Sequence, residues 1–344
     1  MSSQAYCDMS VKRFYYLDFL KTVGLLLIIL AHASPPAWLF AIRTFDVPMM
    51  VILSGMLGKI AYERHISNKH GTGLEYILRR CKRIVLPTWV FCFGVFIPIS
   101  LLVGNHYSLK QFVDILFFQP SGMGYIWIAM VYVLCAMVVP FIYHQEENKR
   151  RTLVLAVFVY AIYEILVTRE VGIENKFMST IPYQLVPYGI LTMAGMYTTV
   201  EARRSKIMLA VLSGLVVTIY AIYGIINGQG IISPQEAKYP ARLYYLSYGV
   251  FVTMILLLIT EKKDRKVFHS RLVLCISKSS YWIYLWHIIL VASVQKLFPS
   301  MIWIIRYFIV VICSVGMAVI QQKCINVLRK HANVPNEVLS IFEG

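Results

Sequence analysis

Residues 17–34 read LDFLKTVGLLLIILAHAS, a stretch that is apolar enough to cross a lipid bilayer yet carries Asp18, Lys21 and His32. The apolar core of a bilayer is about 30 Å thick, and a helix needs about 20 apolar residues to cross it. The whole chain has the same character, because 58% of its 344 residues are hydrophobic and only 15% are charged. This composition is too apolar for an ordinary soluble domain. The sequence therefore predicts an all-α, polytopic membrane protein.

About ten segments of this kind follow one another along the chain. They lie near residues 14–33, 42–60, 84–104, 122–142, 152–168, 181–200, 207–227, 241–260, 278–297 and 300–321. Basic residues cluster in every second connection between them, for example at residues 79–83 and 149–151. Connections that are rich in Lys and Arg remain in the cytoplasm. We therefore expect an even number of spans, about ten, with both chain termini in the cytoplasm.

The same pattern sets the expected organisation of the chain. Residues 1–13 form a cytoplasmic tail, residues 14–322 a transmembrane domain and residues 323–344 a second cytoplasmic tail. We expect no nucleic-acid partner, because the net charge of +16 comes from short clusters between apolar runs and not from one solvated basic face. The first segment also resembles a secretory signal cleaved after Ala33. The first spans of multi-pass proteins commonly resemble secretory signals, so we expect the first segment to remain uncleaved.

The polar residues of the first segment share one face of the predicted helix. The eleven steps from Lys21 to His32 cover about 16 Å and return to within about 20° of the same direction, and Asp18 lies one turn before Lys21. Titratable groups near the bilayer centre cost about 2.5–3.5 kcal/mol and usually line an interior cavity. The alternative is an interfacial Asp18–Lys21 pair with His32 at the outer end of the helix.

The second segment, AIRTFDVPMMVILSGML at residues 41–57, brings further polar groups to the outer side. Arg43 and Asp46 are three residues apart and can pair with each other, while Ser54 falls in mid-membrane. The short connection before this segment keeps both charged residues near His32. A carboxylate and a guanidinium beside a histidine can fix its tautomer and shift its pKa, as a general base requires. An arginine there can also stabilise an oxyanion.

Four segments in this order resemble the acyltransferase type 3 family of membrane acyltransferases. They are LDFLKTVGLLLIILAH, FDVPMMVILSG, RRCKRIVLP and SKSSYWIYLWH, and GYIWIAMVYVLCAMVVP and KYPARLYYLSYG also resemble internal segments of the family. The likeness runs from about residue 13 to residue 322. It implies a ten-helix bundle in the bacterial cytoplasmic membrane that moves an acyl group, commonly acetyl, from cytoplasmic acyl-coenzyme A to a hydroxyl of a sugar or exported polysaccharide. The implied partners are acyl-coenzyme A, a glycan or lipid-linked sugar, and membrane lipids; no metal is implied, and a homo-oligomer is left open.

The resemblance also assigns roles to residues. His32 becomes the general base, or else a transient acyl carrier, and Lys21 stands where many members have Arg. Arg80 and Arg83, with Lys82 beside them, match a cytoplasmic arginine pair that forks onto the phosphates of coenzyme A. Without the resemblance, this basic cluster indicates an anchor to anionic lipid. The mechanism then has Arg43 orienting or stabilising the reacting groups while Asp46 holds it.

The remaining candidates are aromatic or buried. His287 lies among aromatic residues, where a hydrogen-bonded core histidine is the commoner case, and is kept as a second-rank candidate. Tyr284 beside it suits the lining of a channel for a pantetheine arm. For Trp127, in GYIWIAM, we favour an ordinary interface aromatic over a channel-lining group. Glu164 is an unusual acid within a span and receives no role.

A transporter or flippase is the rival from another class, with the buried polar row as a proton or substrate path. The sequence shows no convincing internal repeat of the kind such proteins often have. It also lacks a G-x-S-x-G elbow, a P-loop and the common zinc-binding spacings. These absences favour the acyltransferase over other enzyme classes.

Overall fold

The computed structural model describes residues 13–343 apart from residues 70, 103, 120, 122, 146–147, 173, 175–180, 200–201, 263–264 and 332–333. Within these ranges the chain is helical and contains no β-strand, which confirms the predicted all-α class. The α-helices are α1 (Tyr15–His32), α2 (Ala37–Ile42), α3 (Asp46–Lys69), α4 (Gly73–Phe91), α5 (Ile97–Leu102), α6 (Leu109–Leu116), α7 (Trp127–His144), α8 (Lys149–Thr168), α9 (Pro182–Tyr197), α10 (Arg203–Ile226), α11 (Leu243–Thr260), α12 (Arg271–Lys278), α13 (Ser280–Leu297), α14 (Trp303–His331) and α15 (Asn336–Ile341). Short 3₁₀ turns join α2 to α3 and precede α11 and α12, and a π-helical turn joins α4 to α5. The predicted amino-terminal tail lies outside the described residues except for Arg13.

Helices occupy all ten predicted segments, but fewer of them meet the length and apolarity of a membrane span. In the described part of the chain eight do so, and a ninth is formed if α12 and α13 count as one span bent by 79°. Helix α9 has 16 residues, fewer than the about 20 that cross a bilayer. The count of ten spans and the cytoplasmic position of both termini therefore stay predictions.

Helices α1 and α3 form the centre of the bundle. Helix α1 packs against α3, α12, α13 and α14, and α3 also packs against α7, α9 and α11. Leu17, Leu20 and Ile29 on α1 have no more than 1% of their surface exposed. In α8 and α10, by contrast, only 17% of the apolar window is buried, as expected for helices that face lipid. The helices that carry the polar row and the Arg43 and Asp46 pair are thus the central ones.

Small residues let α3 approach its neighbours closely. A methyl group added at Gly55 of α3 would lie 2.3 Å from the carbonyl oxygen of Thr192 on α9, and one at Gly195 of α9 would lie 2.1 Å from that of Ile52 on α3. Such contacts are possible only because neither glycine has a Cβ atom. They fix the position of α3, which begins at Asp46.

The predicted carboxy-terminal tail at residues 323–344 begins inside α14 and folds back onto the bundle. Leu339 of α15 is 2% exposed. The Phe342 ring stacks on Trp282 with 5.7 Å between centroids, and the Trp282 Nε1–H donates to the Ile341 carbonyl at 3.2 Å. This segment is therefore packed against α13.

Candidate active site

A cavity of about 760 Å³ lies at the end of the bundle that carries the arginine cluster of α4. We call it the basic cavity. Its charged lining residues are Asp18, Lys21, Arg80, Arg83, Lys278 and Glu343. Ser54, Tyr281 and Tyr284 also line it. Four basic side chains against two acidic ones give this cavity a positive balance, which suits an anionic ligand such as a polyphosphate.

The predicted arginine pair faces this cavity, whereas its neighbour does not. Arg80 and Arg83 lie one turn apart on α4 and both line the basic cavity. The Arg80 Nε–H donates to the Tyr76 hydroxyl at 3.3 Å, which orients its guanidinium. Lys82 is exposed on the same helix and is not among the lining residues. Its part in ligand binding therefore stays a prediction.

Asp18 and Lys21 line the basic cavity and also hold the end of α12. The Lys21 Nζ donates to the Ser277 carbonyl at 3.0 Å, and the Ser277 hydroxyl donates to Asp18 Oδ1 at 2.5 Å. The last carbonyls of a helix lack intrahelical partners, so this contact satisfies one of them where α12 breaks into α13. The other Asp18 oxygen accepts a hydrogen bond from Arg13 Nε at 2.7 Å. Asp18 thus pairs with Arg13, and the predicted partner Lys21 binds α12.

A second cavity, of about 190 Å³, lies at the other end of α1, and we call it the outer cavity after the predicted orientation of the chain. The polar and aromatic residues that line it are His32, Phe40, Arg43, Asp46, Trp127, Gln235, Lys238, Tyr239 and Tyr284. The structure therefore brings His32, Arg43 and Asp46 to one cavity. They arrive from the end of α1, the 3₁₀ turn before α3 and the start of α3.

Arg43 and Asp46 form a buried ion pair. The Arg43 Nη1 lies 2.6 Å from Asp46 Oδ2, and the two side chains are 2% and 1% exposed. The other Asp46 oxygen accepts from the Val47 backbone N–H at 2.8 Å, and the guanidinium lies 4.1 Å from the Phe40 ring centroid. Arg43 Nε has no hydrogen-bond partner in the described part of the chain. The pair is buried, and its charges compensate each other.

The end of α1 that carries His32 is anchored by two other helices. The Gln295 side chain on α13 donates to the His32 carbonyl at 3.2 Å. Arg306 on α14 is 7% exposed and donates to the Ser34 hydroxyl at 3.3 Å and to the Pro299 carbonyl at 3.1 Å. Arg306 was missed in the sequence, although a lone arginine within an apolar run was a usable signal.

Two aromatic neighbours enclose the imidazole of His32. Its ring packs edge-on against Tyr125 with 4.7 Å between centroids, and the His287 ring lies 5.4 Å away. His287 is fully buried, and its Nδ1–H donates to the Tyr284 carbonyl. This leaves His287 Nε2 as an acceptor, and it has no partner among the described residues. His287 is thus a hydrogen-bonded core histidine that also lies beside His32.

Three residues line both cavities. Ile28 of α1, Ile128 of α7 and Tyr284 of α13 line both of them. We call these three residues the junction. The Tyr284 hydroxyl donates to the Tyr125 carbonyl, which fixes that side chain. The rise of α1 from Lys21 to His32 is about 16 Å. The basic and outer cavities are therefore separated by a short stretch of protein interior.

Trp127, a second-rank candidate, and Lys238, which the sequence analysis did not single out, also line the outer cavity. The Trp127 side chain is part of the wall, and its role as a channel-lining group or an interface aromatic stays a prediction. The Lys238 Nζ lies 5.8 Å from the Trp127 ring centroid and 5.2 Å from that of Tyr239. Burial lowers the pKa of Lys238, in the loop before α11, to about 8, and the nearby Asp46 carboxylate offsets this only in part. The segment KYPARLYYLSYG was the available signal for Lys238.

Comparison with known proteins gives a match at the level of a family. A family model described as an acyltransferase domain matches residues 14–320. No curated protein and no solved structure matches the chain. The matched range covers nearly the whole chain. Of the lining residues named above for the two cavities, all but Glu343 lie within it.

Proposed function

This chain belongs to the acyltransferase family whose model it matches, and we propose that it transfers an acyl group from cytoplasmic acyl-coenzyme A to a hydroxyl of a sugar or exported polysaccharide at the outer face of the membrane. The observation that supports the proposal is that a basic cavity and a histidine-containing cavity share the wall residues Ile28, Ile128 and Tyr284. Acetyl is the acyl group and the bacterial cytoplasmic membrane the location that we expect.

The donor occupies the basic cavity in this proposal. Arg80, Arg83 and Lys278 bind the phosphates of coenzyme A, since guanidinium groups fork onto phosphate oxygens. The pantetheine arm then runs along α1 past Lys21 to the junction. Lys21 keeps α12 in place through the Ser277 carbonyl and adds positive charge to the cavity.

The acceptor hydroxyl enters the outer cavity, where His32 takes its proton as general base. The hydroxyl oxygen attacks the thioester carbonyl, a C–O bond forms, and the carbonyl electron pair moves onto oxygen. Arg43, held by Asp46, stabilises that negative charge. The C–S bond then breaks, and the coenzyme A thiolate takes the proton from the His32 imidazolium. Transient acylation of His32 itself is the alternative route.

Transfer by the purified chain tests this function. The full-length protein is placed in lipid nanodiscs with labelled acetyl-coenzyme A, and coenzyme A release and label transfer are followed after addition of polysaccharide from the host membrane. We expect His32→Ala to abolish transfer while the protein stays folded by thermal melting. His106→Ala, at an exposed loop residue, is the matched control and keeps full activity. Retained transfer by His32→Ala would refute the role of His32.

The same preparation separates the enzyme from a transporter. A nanodisc has no enclosed compartment, so transport produces no signal in it, whereas acyl transfer does. Accumulation of labelled sugar in proteoliposomes without coenzyme A release would favour the transporter.

A further inference from the structure

The outer cavity carries one positive charge more than its acidic groups compensate. Arg43 and Asp46 neutralise each other in their buried ion pair. Lys238 adds a further ammonium group, and its side chain is 6% exposed. Among the described residues no carboxylate forms an ion pair with it. Buried charges in proteins are usually paired with a counter-ion, so an unpaired lysine that lines a cavity indicates an anionic ligand.

Aromatic rings supply the contacts that the described chain gives to this ammonium. Its Nζ lies 5.8 Å from the Trp127 ring centroid and 5.2 Å from the Tyr239 ring centroid. Cation–π contacts of this kind offset only part of the cost of removing an ammonium from water. The remaining cost is one that a bound anion would offset.

The size and walls of the cavity restrict the ligand further. Its volume of about 190 Å³ is below the roughly 300–1,000 Å³ of sites for drug-sized ligands, so it suits one sugar residue and not an oligosaccharide. The Trp127 and Tyr239 rings meet edge to face, 5.6 Å apart, and offer apolar faces to a sugar ring. His32 in the same cavity is available for a hydroxyl of that sugar.

We propose that the outer cavity selects an acceptor with an anionic group beside its reacting hydroxyl, and that Lys238 binds this group. The anion is the carboxylate of an acidic sugar or the phosphate of a phosphorylated one, since both present oxygen atoms to an ammonium. The statement that this ligand is the acceptor of the acyl group rests on the proposed function. In this arrangement Lys238 determines specificity, while His32 performs the proton transfer.

Binding of simple sugars tests the proposal without any chemistry. The full-length chain in phosphatidylcholine nanodiscs, which carry no net lipid charge, is titrated with glucuronate, glucose 6-phosphate and glucose at pH 7. Tryptophan fluorescence reports binding, and Trp127→Phe identifies the contribution of Trp127. We expect at least one of the two anions to bind at least tenfold more tightly than glucose, and the better of the two identifies the carboxylate or the phosphate.

Variants of Lys238 assign the charge preference. Lys238→Gln should remove the preference for the anion, and Lys238→Arg should keep it. Equal binding of glucose and both anions, no response to either anion, or an unchanged preference in a folded Lys238→Gln protein would each overturn the proposal. If Lys238→Gln fails to fold, glucuronate binding by wild type and Lys238→Arg is compared between about pH 8 and about 9.5. Affinity that falls with pH in wild type but not in Lys238→Arg assigns the anion to Lys238, because arginine stays protonated, and an equal fall or no fall in both proteins overturns the proposal.

The outcome is independent of the acyl transfer assay, because no acyl donor is present. Anion binding through Lys238 in a protein that never transfers acetyl would support this site and contradict the proposed function. Transfer to acidic and neutral acceptors that Lys238→Gln slows equally would keep the function and overturn the specificity role, since Lys238 would then stabilise the reacting oxygen.

Discussion

The buried Arg43 and Asp46 pair defines which single residues are informative to change. Removing one partner of a buried ion pair costs about 3–5 kcal/mol of stability, because the other charge is left uncompensated. The start of α3 depends on this pair, since Asp46 also accepts from the Val47 backbone N–H. Loss of activity in a variant of either residue would therefore mix unfolding with chemistry. His32 and Lys238 separate the two effects better.

The titration of Lys238 gives a prediction about pH. Burial lowers its pKa to about 8, so the side chain is cationic below that pH and neutral above it. Glucuronate stays ionised throughout, because carboxyl groups titrate near pH 4. We expect its affinity to be highest below about pH 8 and to fall as the pH rises to about 9.5, measured by tryptophan fluorescence.

Lys238→Gln and Lys238→Arg are the controls for that titration. The first should show weak binding at every pH, and the second should bind equally well at both ends of the range, because arginine stays protonated. A decline of the same size in Lys238→Arg would assign the titration to another group of the outer cavity.

At the scale of helices, the contact between α3 and α9 determines where the outer cavity lies. A Cβ atom added at Gly55 or at Gly195 would lie against a carbonyl oxygen of the facing helix. The backbones themselves therefore form the contact, and a side chain cannot rotate away to relieve a clash. Because Arg43 and Asp46 sit at the beginning of α3, a shift of this helix also moves the charged wall of the cavity.

Gly195→Ala is expected to destabilise the fold. The added methyl would lie 2.1 Å from the Ile52 carbonyl oxygen, so the helices must separate. Overpacking of this kind costs about 1–3 kcal/mol. The measurement is the melting temperature in nanodiscs together with acyl transfer, and both should fall.

Gly316→Ala on α14 is the matched control, because among the described residues no atom outside its own stretch of helix lies within 4 Å of the added methyl group. We expect the melting temperature of that variant to equal or exceed that of wild type, since alanine favours helix. Equal melting temperatures for Gly195→Ala and wild type would show that the α3 and α9 contact is adaptable.

At the scale of the molecule, the sequence predicted what depends on local pattern and missed what depends on distant partners. Helical periodicity correctly placed Asp18 and Lys21 on an interior face of α1. It did not predict that Lys21 would bind Ser277, because that residue is 256 positions away. Likewise, composition located the apolar segments but not the 79° bend between α12 and α13.

The aromatic and loop residues of the outer cavity show the same limit. A tryptophan at a membrane interface and one that lines a cavity have the same sequence pattern. The neighbours of Trp127 in the chain therefore do not distinguish an interface aromatic from a channel-lining group. Lys238 lies in a polar loop, where a buried lysine is unexpected. The only local indication of its position was the family-like segment around it.

The junction leads to a prediction about the whole route. Ile28 lines both cavities and is 6% exposed, so a larger side chain there would thicken the wall that an acyl group must pass between them. We expect Ile28→Trp to bind acetyl-coenzyme A with little change by calorimetry, because the proposed phosphate ligands Arg80 and Arg83 are on α4 and stay unchanged. Transfer should fall by about 100-fold or more, since a displacement of about 1 Å from the reactive geometry already costs about that much.

Ile128→Trp changes another wall residue that both cavities share and should behave in the same way. Ile219→Trp, at a residue that is 63% exposed on α10, is the control and should keep full transfer. Normal transfer by folded Ile28→Trp and Ile128→Trp proteins would mean that the acyl group reaches the acceptor by another path.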